Sequence, residues 1–452
     1  MIAKKLNDAQ MRDFILNGYV TVKTDHPRDF HEAIFKQTET VFEKEGNPGN
    51  NLLPRIPAVQ EILVDPAVHG ALISVLGPNY YMHPHRHCHY NPPGSKGQNI
   101  HKDSWTRRRH PTRWVMALYY PQNTPEERGP TGIVPGSQYY NTRAGEDGSR
   151  EIPLSGEAGT VVIVHYDLWH RAMPNRSDEK RYMMKFLFTR LEEPQSPSWD
   201  SEQEAWEPID HPKDETMWTY LWDWHYGQEN GKRSGTDASI PTLIEALEDK
   251  SESVCFDAAY ALGAIGKPTV SALVDTLKHP SDIVRRNASY ALSAIGALAV
   301  PQLIEALSHS NGVNQADVAD TLGDIGSSAQ EAIPVLAEAL ADESVHLRRN
   351  AAEALGIIGG SPSAAVPALI EGLSDADEWV KRNTSLALAR IGAHALEALP
   401  ALKAALTDEN RYVRANCAHT LHRIGTPAAK DALLDFLLIS RWCPSTTRES
   451  TF

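Results

Sequence analysis

Two imidazoles, a carboxylate and a guanidinium carry the clearest chemistry in this 452-residue chain: His101, Asp103, His170 and Arg181. Two His and one Asp can occupy one face of an octahedral Fe(II), leaving the opposite face open for a cosubstrate and O2 side by side. His101 and Asp103 stand two apart, so on a strand both side chains leave the same face. Arg181 lies eleven residues past His170, where its planar fork can hold a carboxylate through two hydrogen bonds. Together these residues suggest an iron oxygenase that uses 2-oxoglutarate.

A second HxD competes. His165-Tyr166-Asp167 has the same spacing and would leave His170 an incidental neighbour. That set needs a later strand-borne His, and its candidates, His211 and His225, fall in a Pro- and Trp-rich segment. Arg176 rivals Arg181 for the carboxylate, but it sits in the turn Asn175-Arg176-Ser177-Asp178, whereas Arg181 opens a strand. Gln98, three residues before His101, and Tyr120 and Thr131, on flanking strands, are further candidates to contact cosubstrate or substrate. His83, His85, His87 and His89 alternate at period two. On a strand they face one way, as a second metal site or a polar wall, with Pro84 pointing to an edge. The basic run Arg107-Arg108-Arg109 is either a solvated face or a recognition site for an anionic substrate.

Such a set needs strands that meet. Residues 113–120, 160–165 and 182–188 are strand-like, and Asn91-Pro92-Pro93-Gly94 and Val134-Pro135-Gly136-Ser137 separate them as turns. Short strands with frequent turns predict a double-stranded β-helix (jelly roll), flanked by helices over 8–16 and 29–45. The segment Trp218-Thr219-Tyr220-Leu221-Trp222-Asp223-Trp224 is too aromatic for a free linker, and is expected to cap this domain.

From about Ser239 the grammar changes. Leu-x-x-Ile-Gly ends at Gly266, Gly296, Gly326, Gly359, Gly392 and Gly425, in steps of 30, 30, 33, 33 and 33. A second amphipathic phrase keeps the rhythm at 240–247, 300–307 and 366–373, with Pro near its first turn, where the missing N–H costs nothing. Helix pairs at this period predict an all-α solenoid of six full pairs and a last helix over 429–438. The repeats resemble HEAT repeats of the short phycobilisome-lyase-like type. A partner-binding concave surface, or support for the first domain, is the expected role. This half has no His-Glu dipeptide, which tells against a di-iron site of the kind some HEAT-repeat hydroxylases use.

The formal net charge of −14 argues against nucleic-acid partners, which need a basic surface. The charge is uneven: residues 1–234 hold 27 Lys/Arg against 31 Asp/Glu, and residues 235–452 hold 17 against 27. Four scattered cysteines form no CxxC pair, so a reducing compartment is expected, with neither a disulfide framework nor a thiolate metal site. The first residues lack a signal-like apolar run, and no run of 18 apolar residues occurs. The expectation is a cytoplasmic protein with no membrane partner.

The first half resembles the phytanoyl-CoA dioxygenase family of Fe(II)/2-oxoglutarate oxygenases over residues 6–228. The likeness rests on Phe14–Val22, the HxD at 101–103, Gly129–Ser137 and Leu168–Asn175. It implies His101, Asp103 and His170 as ligands of a catalytic Fe(II), Arg181 as anchor for the far carboxylate of 2-oxoglutarate, and O2 as oxidant. Gln138 departs from the His that many members carry there. Asp103 occupies the place that related halogenases leave open for halide, which implies oxygenation. The expected activity is hydroxylation of an aliphatic carbon of a small molecule (anionic, natural-product or acyl-type), releasing succinate and CO2. The alternatives are a scaffold with an inactive barrel, or an oxygenase acting on a protein- or carrier-bound substrate docked by the repeats. The expected organisation is an oxygenase domain at 1–230, a linker at 231–238, the solenoid at 239–440 and a tail at 441–452.

Overall fold

The structure, a computed structural model, describes residues 2–104, 109–142, 151–207, 214–228, 238–309, 314–360 and 362–439. The linker up to residue 237, the tail from 441, His211 and residues 105–108, including Arg107 and Arg108, lie outside the described residues. Residue contacts divide the chain into two compact units. One contains Met1–Arg190 and Pro197–Glu204, and the other Leu191–Ser196 and Ala205–Leu438.

The first unit is sheet-rich. Its strands are β1 (Tyr19–Lys23), β2 (Tyr80–Asn91), β3 (Trp114–Tyr119), β4 (Thr131–Ile133), β5 (Ile152–Pro153), β6 (Thr160–His165), β7 (His170–Ala172) and β8 (Arg181–Arg190). Five form an antiparallel sheet in the order β1-β6-β3-β8-β2, and three form a smaller one, β5-β4-β7. Met116, Leu118 and Tyr120, Val162 and Val164, and Met183 and Leu187 recur at period two. They bury one face of the large sheet with Ile133 and Leu154. Alternation thus sets which side chains enter the core. The other face of β8 is buried too: Tyr182 meets Phe35 and Phe42 of the helix Arg28–Glu45. This is the expected jelly roll with flanking helices.

The second unit is helical. Six helix pairs run from Ile240–Ala246 with Glu252–Ile265 to Leu399–Ala405 with Arg411–Ile424, and Pro427–Ile439 follows. Each second helix ends at a glycine with φ between 62° and 79°, a left-handed conformation that side chains disfavour. An asparagine ladder ties neighbouring repeats. The Nδ2 groups of Asn350, Asn383 and Asn416 donate to the carbonyls of Ala316, Arg349 and Arg382, each 34 residues earlier. Among the described residues, one helical stretch, Asp282–Ser308, is long and apolar enough to cross a membrane. It consists of two repeat helices, Asp282–Ile295 and Val300–Ser308, broken at Gly296, whose apolar faces are buried in the solenoid.

The aromatic segment, expected to close the first domain, is grouped by its contacts with the helical unit. Helix Glu215–His225 belongs to the helical unit, where the Tyr220 ring lies 5.1 Å from that of Tyr260. It packs on Glu252–Ile265, the second helix of the first repeat.

Candidate active site

Strand pairing assembles the triad. His101 and His170 exchange both backbone hydrogen bonds, each at 2.9 Å, and Gln98 N–H donates to Ala172 C=O at 2.9 Å. Residues 98–101 therefore lie antiparallel beside β7, with the two imidazole centroids 4.6 Å apart. Asp103, on the same segment, completes the group: one ligand atom from each of His101, Asp103 and His170 lies within 4.8 Å of the others. Asp103 Oδ1 is 3.8 Å from His101 Nε2, and Oδ2 is 3.5 Å from His170 Nε2. Among the described residues no other group of three His, Cys, Asp or Glu converges this way.

The main chain presets both rings. His101 Nδ1 meets the Asn99 carbonyl at 2.9 Å, and His170 Nδ1 meets the Leu168 carbonyl at 2.8 Å. A carbonyl can only accept, so each Nδ1 carries the proton and each Nε2 lone pair faces the cluster. The 134–140 turn holds both halves of the triad. Lys102 Nζ donates to the Ser137 and Tyr140 carbonyls at 2.9 and 2.6 Å, and Trp169 N–H donates to Ser137 Oγ at 3.0 Å.

On β8, Arg181 and Lys185 share the inward parity of Met183 and Leu187. Lys185 is 6% exposed, and its Nζ donates to Asp103 Oδ2 at 2.8 Å. Burial alone would raise the Asp103 pKa. Contact with His170 and the Lys185 ammonium outweigh it and hold the carboxyl well below the usual range. Arg181 is 1% exposed; its Nε donates to Gly129 C=O at 2.9 Å and Nη1 to His89 C=O at 3.4 Å. Its buried Nη2 has no partner among the described residues, and a carboxylate would complete it. The Tyr120 hydroxyl donates to Thr131 Oγ1 at 2.9 Å and accepts from Thr131 N–H at 3.2 Å.

The other candidates are sorted by the same contacts. Arg176 is exposed, which leaves Arg181 as the enclosed guanidinium. Gln98 is exposed, and its Oε1 accepts from Ala172 N–H at 3.2 Å. His165 is buried among β-strand neighbours and its Nδ1 accepts from Asp167 N–H at 3.2 Å, so this second HxD is a local turn. The histidine row is broken by a register shift between Met82 and Arg86. His87 and His89 stand opposite Lys185 and Met183 on the inward face. Lys185 escaped the sequence reading. Its signal was present in the alternation Arg181, Met183, Lys185, Leu187, but only the fold shows what it meets.

A phytanoyl-CoA dioxygenase family model matches residues 21–183, a span that includes His101, Asp103, His170 and Arg181. HEAT-repeat models match residues 229–297, 300–369 and 366–442. No curated protein matches the sequence. Solved structures similar to this chain include the non-heme alpha-ketoglutarate-dependent carbocyclase SnoK from nogalamycin biosynthesis, at 19% identity and TM-score 0.35, covering 41% of this chain and 85% of that one. The non-heme monooxygenase ThoJ in its Ni complex is similar at 16% identity and TM-score 0.34, covering 46% and 89%. EctD from S. alaskensis, with 2-oxoglutarate and 5-hydroxyectoine, is similar at 15% identity and TM-score 0.36, covering 42% and 77%.

Proposed function

Because this chain joins a phytanoyl-CoA dioxygenase domain, of the Fe(II)/2-oxoglutarate oxygenase superfamily, to HEAT repeats, we propose that it is a 2-oxoglutarate-dependent hydroxylase. It oxidises an aliphatic carbon of a small-molecule substrate and releases succinate and CO2. The observation that carries this reading is a triad with preset Nε2 donors in the same barrel as a buried arginine with an unsatisfied N–H.

His101, Asp103 and His170 would hold the iron, which with 2-oxoglutarate supplies the O2 activation. Arg181 binds the far carboxylate of the keto acid through its open guanidinium edge. The hydrogen-bonded pair Tyr120–Thr131 forms the polar wall beside it, and Met116, Leu118, Val162 and Leu187 keep water from the barrel interior. The HEAT repeats suggest a protein-interaction surface. Succinate formation from 2-oxoglutarate with Fe(II) and O2 tests the reading. Absence of turnover with iron demonstrably bound, across acyl-type, amino-acid and natural-product substrates, would favour the scaffold alternative.

A further inference from the structure

Lys185 is the one buried ammonium aimed at the triad among the described residues. Its neighbours on the inward face of β8 are Met183 and Leu187, and among the described residues its hydrogen-bond acceptor is Asp103 Oδ2 at 2.8 Å. A lysine within an apolar strand face loses hydration and rotamer freedom, and a single ion pair at this depth is weak grounds for stability. A role for the pair lies instead in what it does to the carboxylate. Asp103 is fixed at both ends: its backbone carbonyl accepts from the Tyr166 hydroxyl at 3.0 Å, and its side chain is held by Lys185.

We propose that Lys185 is a positioning residue that keeps Asp103 a one-oxygen metal ligand. This rests on the iron-site reading above. Two imidazoles and one carboxylate oxygen fill three of six octahedral places, leaving two for a chelating keto acid and one for O2. A carboxylate free to swing can close on a metal with both oxygens. It would then take the last place, and the keto acid would fill the remaining two. Both Asp103 oxygens face the imidazoles, Oδ1 at 3.8 Å from His101 Nε2 and Oδ2 at 3.5 Å from His170 Nε2; the hydrogen bond from Lys185 occupies Oδ2 and leaves Oδ1 as the ligand. The register gives it a fixed approach, because Lys185 pairs with His87 of β2 on one side and Leu118 of β3 on the other.

Nitric oxide, used as an O2 surrogate, tests the proposal without turnover. Full-length protein is loaded anaerobically with Fe(II) and 2-oxoglutarate, and NO is titrated by electron paramagnetic resonance. Lys185→Met should still bind iron and keto acid but lose about tenfold or more in NO affinity, on the scale of other residues that orient metal ligands. Lys185→Arg, which retains a donor for Oδ2, should restore it. Should Lys185→Met fail to fold, Lys185→Gln takes its place: it keeps a polar atom but falls short of Asp103, and the same loss is expected. Unchanged NO affinity in a folded, iron-loaded Met or Gln variant overturns the proposal. Failure of the wild-type chain to bind Fe(II) would instead overturn the iron-site reading. A purely structural role for Lys185 would lower the melting temperature and leave NO affinity unmoved.

Discussion

Replacing Arg181 by Lys should separate charge from geometry at the cosubstrate site. Lysine keeps the positive charge but presents a compact ammonium in place of a planar fork. In the native site Nε is committed to Gly129 C=O and Nη1 to His89 C=O, while Nη2 has no partner among the described residues. The substitution therefore removes one guanidinium N–H from the carboxylate and shortens the reach of the other. A hydrogen bond to a charged group contributes about 1.5–3 kcal/mol, which corresponds to roughly a 10- to 150-fold weaker 2-oxoglutarate complex. Gly129 C=O retains a donor, Asn91 Nδ2 at 3.0 Å, so the fold should lose only about 1 kcal/mol. Calorimetric titration of 2-oxoglutarate into anaerobic, Mn(II)-loaded protein measures the effect, with metal affinity as the internal control. Arg176→Ala, at an exposed position, should leave 2-oxoglutarate binding unchanged. Wild-type affinity in Arg181→Lys, or a large loss in Arg176→Ala, would refute the assignment.

His101→Ala and Asp103→Ala should each abolish succinate formation while the helical circular-dichroism signal persists; retained turnover in either would remove that residue from the ligand set. Acid should weaken the sheet-rich unit. Burial pushes the His165 pKa down to about 4, and burial with the Lys185 and Arg181 charges pushes His89 down to about 3, from an ordinary 6.5. Each ring therefore contributes stability above pH 6.5 that is lost as pH falls through its folded value. Melting temperature should drop from pH 6.5 towards 4, less steeply in His165→Gln, and an identical slope in that variant would contradict the buried-neutral assignment. Gly356→Val should destabilise the solenoid, because a Cβ there would lie 2.7 Å from Ala387 Cα. Thermal denaturation checks this, and a melting temperature equal to the wild type would contradict the close helix packing.

The grouping of the three residues was legible because metal chemistry restricts residue type and a short spacing keeps His101 and Asp103 together; the strand expected for them was not, since His101 is an isolated bridge to His170 and residues 102–104 are irregular. The solenoid was legible because its period is written twice, once in Leu-x-x-Ile-Gly and once in the Pro-led helices. Lys185 was not, since a lysine in a strand reads as solvated until the partner across the barrel is known. The grouping of the Trp-rich helix with the helical unit was hidden for a related reason. Apolar and aromatic residues announce that a surface is buried, but not against which core. The histidine row shows a third limit. Period two held only as far as the strand stayed regular, and the register shift after Met82 divided residues that spacing alone would align.

The asparagine ladder makes the helical half editable by length. Because Asn350, Asn383 and Asn416 each reach back the same 34 residues, excising residues 350–382 would set Asn383 where Asn350 now stands, facing the Ala316 carbonyl. A 33-residue cut would thus rejoin like to like, whereas a cut of 30 or 36 would leave an asparagine and a helix end mismatched. The solenoid behaves as a ruler graduated in whole repeats, one that can be shortened by a mark without rewriting the segments that carry His101, Asp103 and His170.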